Sequence, residues 1–498
     1  MHRGTWNRPL IAATLALCLV GVSAMGCRRE PAVPVHRGPI VLITIDALRA
    51  DTVEALGGAP KVMPVLSGLA REAAWAGRAI TPSSWTVPSM AAIFTGYQPW
   101  RSGNWGSDRA VLDERLVTLP EALKKAGFRT AGFRSNHWLQ AEFGYSQGFD
   151  TFRYLREGKR AERYLEALKG GQEFVWVHIL PPHAPYVRRE PFLDRLDEIP
   201  PDLPKHVRPL DLEPYYDPAM KLPPAKERVF RAMYNLNAAS ADQLLGRLID
   251  SIKKSGQWEE TLLVITSDHG EEFGESGQIA HGGNLGSVLV EVPLVIKLPA
   301  SFPRKLDLQP GGRPANVRVG ATLIEAAGGT PEPGAAPSLF QPFDKGALSE
   351  LYLGNGVNRF SLVNGDLQLL WESRFAPPEP DYYRARLAGL GGKPEPPLTQ
   401  PAKAIFGRLE REFASVLPLT GLRSEPPRLS LWRWGPQGSE RVNDPAVLDR
   451  MARQLKNAWL AANGSEMPPG RAKGGKQPHL TPKQEEELRS LGYVAGGS

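Results

Sequence analysis

The chain has 498 residues, 42% of them hydrophobic, with 50 glycines and 47 prolines, enough for one large domain with additions or for two domains. Its formal charge of +7 becomes +5 once Arg3 and Arg8 leave with an N-terminal leader, and no basic run is interleaved with aromatics. That balance argues against nucleic acid as a partner and suits small anionic substrates or a lipid surface. Both cysteines, Cys18 and Cys27, lie at the extreme N-terminus, which excludes a disulfide, a thiolate metal site or a cysteine nucleophile in the body of the chain.

Arg3 and Arg8 precede an apolar stretch at residues 10–22. It is too short to span a bilayer but suits a secretory leader. The stretch runs into Ser23-Ala24-Met25-Gly26-Cys27, whose Gly-Cys end resembles a bacterial lipoprotein signal, with Ala24 where Leu is usual. The expectation is removal of residues 1–26, acylation of Cys27, and a polar, Pro-containing tether at 27–37 that holds an exported protein at a membrane surface, periplasmic or cell-surface.

From residue 38 apolar strands alternate with helix-like segments, the pattern of a layered α/β domain, expected over 38–335. Ile40-Val41-Leu42-Ile43-Thr44-Ile45 is a mostly apolar run that stops on Asp46. Such a run reads as a strand buried on both faces of a parallel sheet. Next comes Ser84-Trp85-Thr86-Val87-Pro88-Ser89-Met90, leading into Ala91-Ala92-Ile93-Phe94. Thr86 suits an N-cap and Pro88 a first turn, so a short buried helix is expected with the Thr86 hydroxyl at its positive end.

Residues 174–180 read as another strand, followed by His183 in the Pro-rich turn Pro182-His183-Ala184-Pro185-Tyr186. His178, inside that strand, reads as a buried, hydrogen-bonded histidine rather than a ligand. Residues 187–225 read as an irregular insertion and 227–254 as an amphipathic helix ending near Lys253-Lys254. The strand Leu262-Leu263-Val264-Ile265-Thr266 then leads to Ser267-Asp268-His269-Gly270, and 292–297 is one more strand. Because ligands of open α/β sheets sit beyond the carboxyl ends of the strands, Asp46 should meet Asp268 and His269 at one sheet edge, as metal ligands. Gly96, Gly270 and Gly282 are expected at tight turns. Arg49 and Asp51 read as a local ion pair, and His137 and His206 as surface residues.

Beyond a possible helix at 317–327, the pattern at 341–375 becomes strand-like, with Asn364-Gly365-Asp366 as a hairpin signal. A smaller antiparallel sheet is expected in a C-terminal subdomain at 336–463, with a Pro-rich loop at 376–403 and a helix at 445–463. The tail at 464–498 is expected to be mostly disordered, with one charged helical piece at 481–491.

Taken in order, Thr44-Ile45-Asp46-Ala47-Leu48-Arg49-Ala50-Asp51, Thr86-Val87-Pro88-Ser89 with Thr95-Gly96, Pro182-His183-Ala184-Pro185-Tyr186 and Ser267-Asp268-His269-Gly270-Glu271-Glu272 resemble the sulfatase branch of the alkaline-phosphatase superfamily. The resemblance covers most of 38–300. It implies an α/β, doubly wound, mostly parallel sheet with a smaller C-terminal antiparallel sheet, and a divalent metal on Asp46, Asp268, His269 and the Thr86 oxygen. Three departures stand out. Thr86 occupies the place of the Cys or Ser that sulfatases mature to formylglycine, Met90 that of the motif's Arg, and Ala47 that of a second carboxylate.

The resemblance therefore implies a hydrolase of anionic esters, phosphate mono- or diesters or sulfate esters, with Thr86 as nucleophile. His183 and His281, in Ala280-His281-Gly282-Gly283, would hold the ester oxygens or assist the leaving group. The metal could be manganese, zinc, magnesium or calcium, and the missing carboxylate at Ala47 weakens the case for calcium. The alternatives are a phosphoethanolamine-type transferase, a genuine sulfuric ester hydrolase and a non-catalytic binding lipoprotein.

Overall fold

The structure is a computed structural model describing residues 35–105, 111–216, 220–300, 302–343, 345–353, 357–375, 423–435, 438–463 and 481–490. The leader at 1–26, most of the tether, the loop expected at 376–403 and most of the tail from 464 lie outside the described residues.

The larger sheet contains β1 (Ile40–Ile45), β2 (Trp75–Ile80), β3 (Arg129–Arg134), β4 (Thr151–Tyr154), β5 (Glu173–Ile179), β6 (Leu262–Thr266) and β7 (Glu291–Lys297). Their order is β2-β7-β6-β1-β5-β3-β4. β1 pairs in parallel with β5 and β6, while β7 runs antiparallel to β6 and β2. The fold is therefore mixed α/β with a mostly parallel central sheet.

Alternation along β1 explains why it reads as a continuous apolar run. Ile40 and Leu42 face one core, shared with Met90 and Phe94 of helix α1 (Thr86–Thr95) and Leu323 of helix α2 (Arg318–Ala326). Val41, Ile43 and Ile45 face the opposite core, shared with Leu245 and Leu248 of the long helix Pro224–Lys254. Both faces are dry, and each such side chain contributes roughly 1.5–3 kcal/mol relative to exposure. The long helix opens on Pro224, three residues before the sequence reading begins it, because a first-turn residue needs no N–H.

The expected small sheet is present, with strands Ala347–Leu353, Val357–Asn364, Leu367–Phe375, Arg423–Gly435 and Gly438–Arg441 in sequence order and antiparallel throughout. Helix Pro445–Asn463 covers it with Met451, Leu455 and Trp459. Leu339 still belongs to the core beneath α1, so the second sheet takes over only at Ala347. It is tied to the segment that leads into α1. Ser349 Oγ donates to Thr81 O at 2.6 Å and Glu350 N to Pro82 O at 2.7 Å. Among the described residues no helix is long and apolar enough to cross a membrane.

Candidate active site

Parallel register builds one half of the site. Thr44 pairs with Thr266 on one side and with His178 on the other, so the chain leaves β1, β5 and β6 at one level. Asp46 follows β1 by one residue and Asp268 follows β6 by two. The two loops are stitched together: Leu48 N donates to Ser267 Oγ at 2.9 Å and Ala47 N to Asp268 Oδ1 at 3.2 Å. Ala47 takes a left-handed φ of 58°, which turns the chain away from the sheet directly after Asp46. Gly270 has a different role from the turn expected of it. Its φ is not positive, but a Cβ there would lie 1.9 Å from Val288 O. Gly96 and Gly282 do sit in the left-handed region.

Thr86 differs in detail from the sequence reading. Trp85, extended and with no capping bond from its side chain, occupies the cap position, and Thr86 is the first helical residue. Its hydroxyl instead lies 3.2 Å from His269 Nε2 and 3.4 Å from Asn136 Nδ2. Asp46, Thr86, Asp268 and His269 are all fully buried.

Hydrogen bonding decides which lone pairs remain. His269 Nδ1–H donates to Gly270 O at 2.8 Å, which leaves the Nε2 lone pair facing inward. That nitrogen lies 3.4 Å from Asp46 Oδ1 and 3.7 Å from Asp268 Oδ2. Those two carboxylate oxygens are buried without a hydrogen-bond partner, whereas the other oxygen of each is satisfied. Buried carboxylate oxygens are costly unless something positive meets them. Four donors held tetrahedrally at about 2.0–2.2 Å from one ion lie about 3.4 Å apart, close to the spacing around His269 Nε2. The donor set fits a divalent cation on Asp46 Oδ1, Asp268 Oδ2, His269 Nε2 and Thr86 Oγ1.

His178 also comes within 4.8 Å of ligand-capable atoms of Asp46 and Asp268. Its tautomer argues against ligation. Trp176 Nε1 donates to Thr44 Oγ1, and the Thr44 hydroxyl in turn donates to His178 Nδ1 at 2.7 Å. The ionised Asp46 Oδ2 can only accept, so Nε2 carries the proton and donates to it at 3.1 Å. Asn136 Nδ2 donates to the same oxygen at 2.7 Å. Together they aim Oδ1 at the centre, the role outer hydrogen bonds play around metal ligands.

Burial works against ionisation of Asp46, but His183 and the hydrogen bond from His178 outweigh it and hold the carboxyl below the usual carboxylate range. Burial pushes Asp268 up, and the neighbouring charge of Asp46 adds to this. Burial likewise lowers His269, which keeps its imidazole neutral and able to ligate.

The other half is carried by loops. His183 is buried and its Nδ1–H donates to Ala184 O at 2.5 Å. His281 follows Ala280, which has a left-handed φ of 68°, and its ring centroid lies 4.3 Å from that of His269 and 4.8 Å from that of His183. Its Nδ1 bonds Glu271 Oε1 at 2.9 Å, and Tyr186 OH donates to the other oxygen of Glu271 at 2.9 Å. Burial opposes ionisation of Glu271, and the surrounding histidines, His281 foremost, together more than offset it. All six expected site residues thus converge. Sequence reasoning missed Asn136 and Glu271. Arg49 pairs with Asp51 as expected, and also with Glu275.

The sequence model of the family described as Sulfatase matches residues 39–165 and 158–329. The low-salt glycan biosynthesis sulfotransferase of Haloferax volcanii is 29% identical over 227 residues, 45% of this chain and 47% of that protein. A multifunctional alkaline phosphatase superfamily protein of Trinickia caryophylli is 27% identical over 194 residues, 34% of this chain and 37% of that protein. These alignments span less than half of either relative. The phosphonate monoester hydrolase of Agrobacterium radiobacter shares the fold, with a TM-score of 0.57 at 17% identity over 82% of this chain and 100% of that one. With more than half of its length matched by the family's sequence model, the chain belongs to the sulfatase family.

Proposed function

We propose that the protein is an exported, metal-dependent hydrolase of anionic esters, with Thr86 as nucleophile and phosphate esters as its better substrates. The observation that carries this reading is the meeting of Thr86 Oγ1, His269 Nε2 and two partnerless carboxylate oxygens in one buried centre. A divalent cation there would supply Lewis-acid polarisation of an ester oxygen and a lower pKa for the Thr86 hydroxyl. Manganese, zinc or magnesium suits one imidazole among oxygens. Ala47 offers no carboxylate to extend the set toward calcium.

Thr86 Oγ1 attacks the ester phosphorus, forming an Oγ–P bond as the bond to the leaving oxygen breaks; the proton that Oγ1 gives up balances the one the leaving oxygen takes up. Asn136 Nδ2, 3.4 Å away, steadies the nucleophilic oxygen. His183 and His281 hold the remaining ester oxygens or give the leaving oxygen its proton. Water then attacks phosphorus, breaking the Oγ–P bond and restoring Thr86. Preference for phosphorus follows from residue 86 and from Met90, which is buried in the apolar core where sulfatases of the family carry a guanidinium. A transferase would arise if an acceptor alcohol replaced water.

The test is a parallel assay of purified protein with manganese, zinc, magnesium and calcium on an aryl sulfate, an aryl phosphate and an aryl phosphodiester. Quenched reactions are digested and the Thr86 peptide is weighed. Phosphoryl esters turning over faster, with a phosphorylated Thr86 peptide, support the reading. A wide advantage for the sulfate ester overturns the phosphoryl preference. No turnover on any ester would leave a binding lipoprotein. Export and acylation at Cys27 belong to the same proposal and are supported by the Arg3/Arg8, apolar, Gly26-Cys27 order of the leader. Mass spectrometry of the membrane fraction should find a lipidated Cys27, and a soluble chain starting elsewhere rejects it.

A further inference from the structure

Helix α3 (Pro482–Ser490) lies some 350 positions along the chain from Asn136, yet it packs against the short turn His137–Leu139. It is built to be there. Thr481 and Gln484 form a reciprocal cap, with Thr481 N donating to Gln484 Oε1 at 2.8 Å and Gln484 N to Thr481 Oγ1 at 3.3 Å. The amide nitrogen of Gln484 then reaches Glu142 Oε1 at 3.0 Å and Gln140 Oε1 at 3.4 Å. On its inner face Leu488 is fully buried, in the apolar cluster that contains Trp138, Leu139 and Phe143.

The turn beneath this helix holds a donor of the site. Asn136 uses both ends of its amide. Oδ1 accepts from Trp138 N at 2.9 Å, which fixes the side chain to the turn, and Nδ2 reaches Asp46 Oδ2 and Thr86 Oγ1. Trp138 also meets Trp85, the residue before Thr86, edge to face at 6.2 Å. Any shift of the 137–139 turn therefore moves Nδ2 by a similar amount and disturbs the wall beside the nucleophile.

We propose that Leu488 is a positioning residue for the reaction: by seating α3 on the 136–143 segment, it keeps Asn136 within hydrogen-bond reach of Asp46 and Thr86. This rests on Thr86 being the nucleophile. Leu488 touches no reacting atom and acts through Trp138 and Asn136.

The test uses the full chain with Leu488→Asp, Leu488→Met, Asn136→Ala and the Asn136→Ala/Leu488→Asp double variant, on whichever aryl ester the wild type turns over best. Leu488→Asp should lower kcat about 10-fold with KM within about 2-fold, since misplacement of a reacting geometry by up to an ångström costs up to about 100-fold. Leu488→Met should restore most of kcat. The double variant should be no slower than Asn136→Ala alone, because the two act through one route. Amide hydrogen exchange should quicken at 136–143 in Leu488→Asp. The proposal is overturned if exchange shows α3 released while kcat stays at the wild-type value, or if the two losses multiply. Thr86→Ala runs in parallel. If it keeps wild-type turnover, the nucleophile reading is what fails, and exchange at 136–143 still reports whether the helix braces the turn.

Discussion

Two of the places where the described residues bury carboxylates completely are finished differently. In the small sheet Glu350 accepts from Asn463 Nδ2 at 2.6 Å on one oxygen and from Trp100 N at 2.9 Å and Tyr352 OH at 3.2 Å on the other. Both its oxygens are used within the protein. At the end of the large sheet Asp46 and Asp268 each satisfy one oxygen and leave the other without a partner, beside the neutral Nε2 of His269. Buried polar atoms are nearly always bonded, so a fully bonded carboxylate reads as structural glue. A pair of half-bonded ones around one imidazole reads as a ligand site. Burial alone separates nothing; the unused lone pairs do.

The most severe break of that comparison is Asp268→Asn. The variant keeps an oxygen for Ala47 N and His269 N but loses the charge that a cation needs. It should bind much less metal by elemental analysis. Activity should fall about 1000-fold, since several kcal/mol of charge stabilisation go and each 1.4 kcal/mol is tenfold. Full metal content with full turnover would put the metal elsewhere.

Next comes Thr86→Ala, which leaves the carboxylates intact and removes only the hydroxyl in front of them. Metal content should fall far less than in Asp268→Asn, since both carboxylates and the imidazole remain, while turnover drops by at least about 100-fold because water must replace a positioned nucleophile. Thr86→Ser should keep part of the rate, with the hydroxyl present and the rotamer-restricting methyl gone. If Thr86→Ala stays near wild type on every ester, the hydroxyl is not the nucleophile.

The sequence shows Asp46, Asp268 and His269 better than the residues that aim them. Asp46, Asp268 and His269 are legible because each follows an apolar run dense enough to read as a doubly buried strand. Thr86 is legible from the residues around it. Asn136 is not, because β3 reads Arg129-Thr130-Ala131-Gly132-Phe133-Arg134, with no clean alternation, and its value depends on pairing with β5. β2 and β4 were missed for a related reason: they are the two edges of the sheet, only partly buried, so their patterns are blurred. His137, expected at the surface, is half-buried and stacks on Tyr154 at 5.6 Å, a contact made by the β3–β4 register. The 481–491 piece reads as a charged helix; nothing local tells that Leu488 is buried in the core beside the site.

The smallest effect tests the other side of the comparison. Burial pushes Glu350 up to about 7, above the 4.5 of an exposed glutamate, despite its three hydrogen bonds. A group whose folded pKa is raised binds its proton more tightly in the native state. Its contribution is therefore fully present below about 4.5 and is lost as pH rises through about 7. Wild-type stability should decline across that window by something on the order of 1–3 kcal/mol from this residue. Glu272, also buried and raised to about 7, adds a decline of the same sign, so only the difference between variant and wild type isolates Glu350. Glu350→Gln cannot ionise, and its melting temperature should gain on the wild type between about pH 4.5 and 7 and level off above. Metal content and turnover should remain near wild type, since no unused lone pair is touched. Parallel melting curves would mean that Glu350 titrates normally. A loss of metal in this variant would erase the distinction between the two buried sites.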